Sequence, residues 1–172
     1  MARTEGLALR AARSVKVLVT NLVEDLIRPI SGPLGIRMRR AWYRRRLRRC
    51  GPRLQIATGV HLDQPGWMSF GDDVCLDRNV IVTAGPAGLD AYTQVVANDR
   101  CAARPGEVVI GNRAHIAIGC IIQGHGGVEI GDAFTASAGV MIYSLSNSVR
   151  GNRNGQVETA DNPVARIRTP VV

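Results

Sequence analysis

The chain lacks a long uninterrupted apolar run. Its most apolar window, residues 15–30, is interrupted by Lys16, Asn21, Glu24, Asp25 and Arg28. A helix that crosses a bilayer needs about 20 predominantly apolar residues, so no transmembrane segment is predicted. The first residues also lack the continuous apolar core and the small-residue cleavage site of a secretory signal peptide. We therefore expect a cytoplasmic protein.

Closely spaced cysteine pairs are missing too. The four cysteines stand at positions 50, 75, 101 and 120. Such spacing is not typical of a disulfide framework, and reduced thiols in a cytosolic protein are the simplest interpretation.

Acidic residues are scarce in the first third of the chain. Residues 1–53 hold 14 Lys and Arg against three Asp and Glu, a net charge of +11, whereas the remainder has a net charge of −3. Apolar residues between Leu7 and Leu26 recur every three or four positions, which predicts an amphipathic helix. A second helix is expected over residues 34–50, where Gly51 and Pro52 would end it. We accordingly divide the chain into a helical, Arg-rich extension (1–53) and a second domain (54–172).

The second domain has a hydrophobic period of six. No helix has this period, and a single strand alternates every two residues, so a short strand followed by a turn is the repeating unit. Gly, Asn or Asp follows many of the aliphatic residues, as sharp turns require. The pattern predicts a parallel β-helix whose interior holds Phe70, Leu76, Val82, Ile110, Ile116, Ile122, Ile130, Ala136 and Ile142.

Two irregularities interrupt the period. Residues 83–108 are rich in Gly, Pro and Ala at their ends, which indicates a surface loop inserted between two coils. Two extra residues fall at His125, Gly126 and Gly127, where a widened corner is expected.

The basic segment Arg37–Arg49, with Trp42 and Tyr43 among its arginines, allows two main interpretations. It is either a solvated helix that covers the open end of the β-helix or a surface that binds anionic membrane lipids. Peripheral attachment at the inner face of the membrane is the functional expectation, and nucleic acid binding is the weaker alternative.

The repeats resemble the hexapeptide-repeat acyltransferases. The runs FGDDV (70–74), IGN (110–112), IQGHGGVEIGD (122–132) and AGVMIYS (138–144) carry the resemblance, which extends from about Arg37 to the last residue. Within these enzymes the chain is most similar to bacterial sugar O-acetyltransferases of surface polysaccharide biosynthesis. The resemblance implies a left-handed parallel β-helix. Further Ile-Gly repeats would follow Val172 in the family, so the chain is also expected to be truncated at its C-terminus.

The resemblance further implies a homotrimer that transfers an acetyl group from acetyl-CoA to a sugar hydroxyl, with no metal. A histidine would act as general base, and backbone amides would stabilise the oxyanion. In the family this histidine follows the Ile-Tyr-Ser element, but here Asn147 and Ser148 occupy its place. His125, in a glycine-rich corner, is therefore the substitute candidate base, and an exposed turn residue without a catalytic role is the alternative interpretation. Residues expected to contact the acceptor are Tyr143, Ser144 and Asn147.

Two further classes compete with acyl transfer. The missing histidine favours a non-catalytic β-helix that serves assembly or binding. The number of histidines allows a zinc enzyme like the γ-class carbonic anhydrases, although the spacing of His61, His115 and His125 does not match that family. The aspartates that follow interior aliphatics are expected to be turn residues: Asp72, Asp73, Asp77 and Asp132.

Overall fold

The structure is a computed structural model that describes residues 2–86, 93–95, 99–147 and 166–168. Within the strands and helices, the side chains of residues 2–11, 13, 93–95, 146–147 and 166–168 are outside this description. Two helices come first, α1 (Ala2–Ile27) and α2 (Gly32–Arg44), and fifteen short strands follow in the described part of the chain. Neither helix is long and apolar enough to cross a bilayer.

Twelve of the strands form three parallel sheets, which are the three faces of a triangular prism. Each turn of the chain contributes one strand to each face, so successive coils stack in register. Sheet A contains β1 (Arg49–Cys50), β4 (Met68–Phe70), β8 (Val108–Ile110) and β11 (Val128–Ile130). Sheet B contains β2 (Gln55–Ile56), β5 (Cys75–Leu76), β9 (His115–Ile116) and β12 (Thr135–Ala136). Sheet C contains β3 (His61–Asp63), β6 (Ile81–Thr83), β10 (Ile121–Gln123) and β13 (Met141–Tyr143).

The interior of the prism is built from columns of aliphatic side chains. Leu76 is in register with Ile56 on one side and with Ile116 on the other, and all three are fully buried. Eight of the nine positions predicted from the six-residue period are buried, and Ile142, in the last coil, is partly buried. The period therefore predicted the inward face of each strand correctly. Burial of these side chains, at roughly 1.5–3 kcal/mol for each large aliphatic, is the main stabilisation of the prism.

Two corners of the prism use left-handed backbone once in every coil. At the corner between sheets A and B, the residues with positive φ are Arg53, Asp73, Arg113 and Ala133. At the corner between sheets B and C, they are Gly59, Asn79, Gly119 and Gly139. The residues that precede the first corner are tied across coils, since Asp72 N donates to Asn112 Oδ1 (2.9 Å) and Asn112 N donates to Asp132 Oδ1 (2.7 Å).

The third corner, between sheets C and A, is longer than the other two. Interior positions are eight residues apart across it, as from Leu62 to Phe70 and from Ile122 to Ile130, whereas six residues separate them elsewhere in a coil. The widening predicted at His125 therefore occurs in the first coil as well, where residues 65–67 form a 3-10 turn. We call the stacked segments 64–67, 84–86 and 124–127 the wide corner.

The helices pack on the first coil. Tyr43 and Leu47 join the hydrophobic core, and the buried Arg39 donates to the backbone carbonyls of Ile56 and Ile30. Helix α2 ends at Arg44, earlier than the predicted residue 50, and β1 at Arg49–Cys50 already pairs with β4. Part of the basic segment is thus internal structure rather than free surface.

Within the predicted 83–108 loop, the described residues include a further strand, β7 (Thr93–Val95). It belongs to a small sheet D with β14 (Leu145–Asn147) and β15 (Arg166–Arg168). In this sheet β15 is the central strand, parallel to β7 and antiparallel to β14.

Candidate functional site

The wide corner places His125 between two coils. Strand β10 ends at Gln123, and four residues, three of them glycine, lead to β11 at Val128. Gly124 packs tightly, because a Cβ there would collide with Cγ2 of the buried Val108. The glycines let this corner run close to its neighbours and leave the half-buried His125 as its only side chain of any size.

Among the described residues, one hydrogen bond holds the imidazole of His125. Its Nδ1 lies 2.9 Å from the carbonyl oxygen of Gly85 in the preceding coil. A carbonyl oxygen only accepts hydrogen bonds, so Nδ1 must carry the hydrogen. In the neutral ring Nε2 is then unprotonated and can accept a proton, which is the tautomer that a general base requires.

The Gly85 carbonyl is itself held in place. Gly85 N donates to Gly106 O (2.7 Å), and Gly106 N donates to the backbone carbonyl of His125 (3.1 Å). Gly85 has φ +89°, and a Cβ at this position would collide with the Gln64 side chain. The left-handed backbone favours glycine at residue 85. The Gly85 carbonyl oxygen, which orients His125, is therefore held in position by the backbone around it.

Ser144 lies one coil beyond His125 and braces the same corner. Its hydroxyl donates to Gln123 O (2.6 Å) and accepts from Gly126 N (2.9 Å), and the residue is buried. These contacts give Ser144 a positioning role in the corner. Tyr143, in register with Gln123, is 50% exposed and free to contact a ligand.

Asn147 belongs to β14, and its side chain lies outside the described residues. The structure thus brings three of the four predicted site residues, His125, Tyr143 and Ser144, to one corner. Their catalytic and binding roles stay predictions.

Several backbone amides at this corner already have partners. Gly124 N donates to Thr83 O (2.7 Å), Gly127 N donates to Gly124 O (2.9 Å), and Gly126 N donates to Ser144. These three amides are therefore used by the fold and are not available to an oxyanion. By contrast, the side-chain oxygen of Gln123 is buried without a hydrogen-bond partner among the described residues. Sequence reasoning passed over Gln123, because one glutamine on the outward face of a strand gives no pattern.

A second cluster lies on the outward face of sheet B. His115 Nε2 is 3.0 Å from Asp77 Oδ2, and the Cys75 thiol donates to Asp77 Oδ1 (3.8 Å). Burial and then the Asp77 carboxylate raise the pKa of the Cys75 thiol. Asp77 does follow the interior Leu76, as its predicted turn role requires, but it also joins two side chains that sequence reasoning left separate.

The three histidines do not converge. His61 lies on β3, where it lines a groove of about 300 Å³ with residues of α1, while His115 lies on β9 and His125 at the wide corner. The one group of potential metal ligands found among the described residues is Cys75, Asp77 and His115. These side chains therefore do not form a three-histidine site within one chain.

Comparison with known proteins supports the fold. The searches of protein-family models and of curated proteins gave no match. Among solved structures, the chain resembles a variant of AntD, an N-acyltransferase from Bacillus cereus, in complex with dTDP and coenzyme A. The TM-score is 0.56 at 18% sequence identity, over 77% of this chain and 60% of the AntD chain. The fold is a left-handed β-helix.

This likeness confirms the predicted fold class. The part of this chain that matches spans only about 60% of the length of the AntD chain. At this level of identity the likeness concerns the fold, and the chemistry of the chain has to be argued from its own residues.

Proposed function

We propose that the protein transfers an acyl group from a coenzyme A thioester, acetyl-CoA, to a sugar hydroxyl, with His125 as the general base. The observation that carries the proposal is the hydrogen bond from His125 Nδ1 to Gly85 O, which leaves Nε2 as proton acceptor. The fold shared with AntD, an N-acyltransferase solved with coenzyme A, supports the choice of co-substrate.

The proposed reaction is a direct transfer. Nε2 of His125 takes the proton of the acceptor hydroxyl as its oxygen attacks the thioester carbonyl, and a tetrahedral oxyanion forms. The oxyanion collapses, the C–S bond breaks, and the ester product remains. The coenzyme A thiolate then takes the proton from the His125 imidazolium and leaves as the thiol, so the enzyme returns to its initial state.

The acceptor would lie against the exposed ring of Tyr143. This tyrosine and Gln123 are neighbours on the outward face of sheet C, and Gln123 stands two residues before His125. An aromatic face and an amide suit the apolar face and the hydroxyls of a pyranose. Because AntD was solved with dTDP, nucleotide-linked sugars belong among the acceptors to be tested.

The direct test measures transfer of a labelled acetyl group from acetyl-CoA to a panel of free and nucleotide-linked sugars. With an accepted sugar, His125→Ala should lower kcat by about 10²- to 10⁴-fold, the usual contribution of a general base. His61→Ala is the matched control, since His61 is a half-buried histidine on another part of the prism. Full activity of His125→Ala with an unchanged circular dichroism spectrum would rule out the base role.

A non-catalytic binding or assembly module is the second candidate. It is favoured by the sequence after Ser144, where Asn147 and Ser148 occupy the place of the histidine that the hexapeptide-repeat acyltransferases carry. The same assay distinguishes the two candidate functions. A non-catalytic module would release no coenzyme A with any sugar, and His125→Ala would not change that result.

Two partner proposals accompany the activity. Assembly as a homotrimer follows from the resemblance, and sedimentation velocity measures it. Contact with anionic lipid would use the exposed arginines of the basic segment together with exposed apolar residues of α1, such as Leu22 and Leu26. Arg46 and Trp42 are less available for lipid, because both side chains contact Glu24.

A further inference from the structure

The cluster on the outward face of sheet B has the composition of a metal site. Cys75 and His115 are register partners on adjacent strands, and Asp77 follows β5 directly. Leu76 and Ile116 point into the core, so the alternation of the strands turns the Cys75 and His115 side chains outward together. One ligand atom from each of the three residues lies within 4.8 Å of the others.

The order of the contacts argues against a catalytic triad. In a triad the histidine stands between the nucleophile and the carboxylate, so that it can take the proton of the nucleophile. Here the Asp77 carboxylate stands in the middle, with His115 on Oδ2 and Cys75 on Oδ1. One ligand atom of each group lies within 4.8 Å of the others, so the three can share a bound cation.

The donor set selects the type of cation. Thiolate, imidazole and carboxylate together suit a borderline-soft divalent ion, and Zn²⁺ binds all three. With Cys75 as thiolate and Asp77 ionised, the two negative charges neutralise Zn²⁺. The neighbours in the same columns, Gln55, Thr135, Ala57 and Ala117, bring no positive charge to the site.

The distances between the ligand atoms are close to those of a zinc site, so the side chains need to shift only slightly to bind the ion. In a tetrahedral zinc site with bonds of about 2.0–2.3 Å, ligand atoms are about 3.3–3.8 Å apart. The Nε2–Oδ2 distance is 3.0 Å and the Sγ–Oδ1 distance is 3.8 Å. The His115 and Asp77 side chains are 45% and 39% exposed, so a cation can enter and solvent can reach it.

We propose that Cys75, Asp77 and His115 form a mononuclear site for Zn²⁺, with water as the fourth ligand. This site is separate from the His125 corner and does not depend on acyl transfer. It departs from the expectation of no metal, which the resemblance to the acyltransferases implied.

The test uses the full chain with any affinity tag removed. Zn²⁺ should bind with a stoichiometry of one per chain by isothermal titration calorimetry. Co²⁺ should give tetrahedral d–d bands together with a sulfur-to-cobalt charge-transfer band in the near ultraviolet, because Cys75 is a ligand. Cys75→Ser should abolish the charge-transfer band, and His115→Gln and Asp77→Asn should each weaken Zn²⁺ binding by at least about tenfold.

Two matched controls keep the test specific. Cys50→Ser removes another partly buried thiol, and His61→Gln removes another half-buried imidazole, and neither should change affinity or spectrum. Absence of stoichiometric binding to the wild-type chain would overturn the proposal. So would a Co²⁺ spectrum without the thiolate band, or equal loss of binding in Cys50→Ser and Cys75→Ser. Circular dichroism of each variant checks that the prism is intact.

Discussion

Replacement of Arg39 by alanine should release the helical extension from the prism. Arg39 is 1% exposed, and its guanidinium donates to four backbone carbonyls and contacts no carboxylate of the described residues. Three of these carbonyls, at Ile27, Arg28 and Ile30, belong to the end of α1 and the residues that follow it, and the fourth is Ile56 O on the first coil. The guanidinium therefore caps α1 and joins it to β2.

The destabilisation expected for Arg39→Ala is the difference between the free energy of the lost hydrogen bonds and the desolvation free energy of the buried cation. Three of the four bonds, to Ile30, Ile27 and Ile56, are 2.9 Å or shorter. At about 1.5–3 kcal/mol for a hydrogen bond to a charged group, they contribute about 5–9 kcal/mol. Burial of the cation costs desolvation free energy, which is also why the pKa of Arg39 is lowered. Replacement by alanine removes this cost. That cost is several kcal/mol, so the net destabilisation expected for Arg39→Ala is about 2–4 kcal/mol.

Hydrogen exchange measured by mass spectrometry can locate this loss. A 2–4 kcal/mol decrease should speed exchange of the backbone amides in the C-terminal turns of α1 by about 30- to 700-fold, while amides of β9 and β10 exchange as in the wild type. Arg37→Ala is the control, because Arg37 is exposed on the same helix and its loss should change stability by no more than about 0.5 kcal/mol. Equal protection of α1 in the two variants would refute the capping argument.

Two further predictions concern packing and pH. Gly124→Ala should lower the free energy of unfolding in urea by about 1–3 kcal/mol and disrupt the wide corner, because the new methyl group collides with Val108. Gly131→Ala is the control and should leave stability unchanged, because Gly131 has open space around it. Burial raises the pKa of Tyr43 to about 12, above its ordinary value of 10.0, so its contribution to stability is complete below pH 10 and is lost as the pH rises towards 12. This loss, roughly 2–3 kcal/mol, should be absent in Tyr43→Phe and retained in Tyr143→Phe, since Tyr143 is exposed.

The fold was predictable because the core repeats. The strands of the prism send apolar side chains inward, and along a coil an equivalent position recurs after six residues, as Phe70, Leu76 and Val82 show. The predicted interior began only at Phe70, because the eight-residue step across the wide corner was recognised only at His125. With that step included, Cys50, Ile56, Leu62 and Phe70 continue the interior columns.

The helical extension illustrates a different limit. The spacing of its apolar residues predicts helices, but no spacing shows that one of its many arginines is buried. Arg39 differs from Arg37 and Arg40 only in the direction in which α2 presents it to the first coil. Its role follows from the packing of α2 against β2, which the composition of the segment does not determine.

The contacts that build the candidate sites, in contrast to several of their residues, could not be predicted from the sequence, and for a common physical reason. Gly85 and His125 are 40 residues apart, and so are Cys75 and His115, yet each pair occupies adjacent coils. Stacked coils elsewhere differ by 20 residues, so the insertion between β6 and β8 adds a further 20 without adding a coil. The residues that meet across it can be identified only when the part of the chain that leaves the prism is known.

Outward positions also differ from inward ones in what constrains them. An inward residue must fill the interior of the prism, so its size and polarity repeat from coil to coil, and this repetition predicts the fold. An outward residue meets no such demand, and Gln55, Cys75, His115 and Thr135 share one column with nothing in common. Chemistry can therefore be placed on the faces and at the wide corner without cost to the core. The repeat that defines the architecture consequently does not show which outward residues react, and contacts between coils are needed to locate the sites.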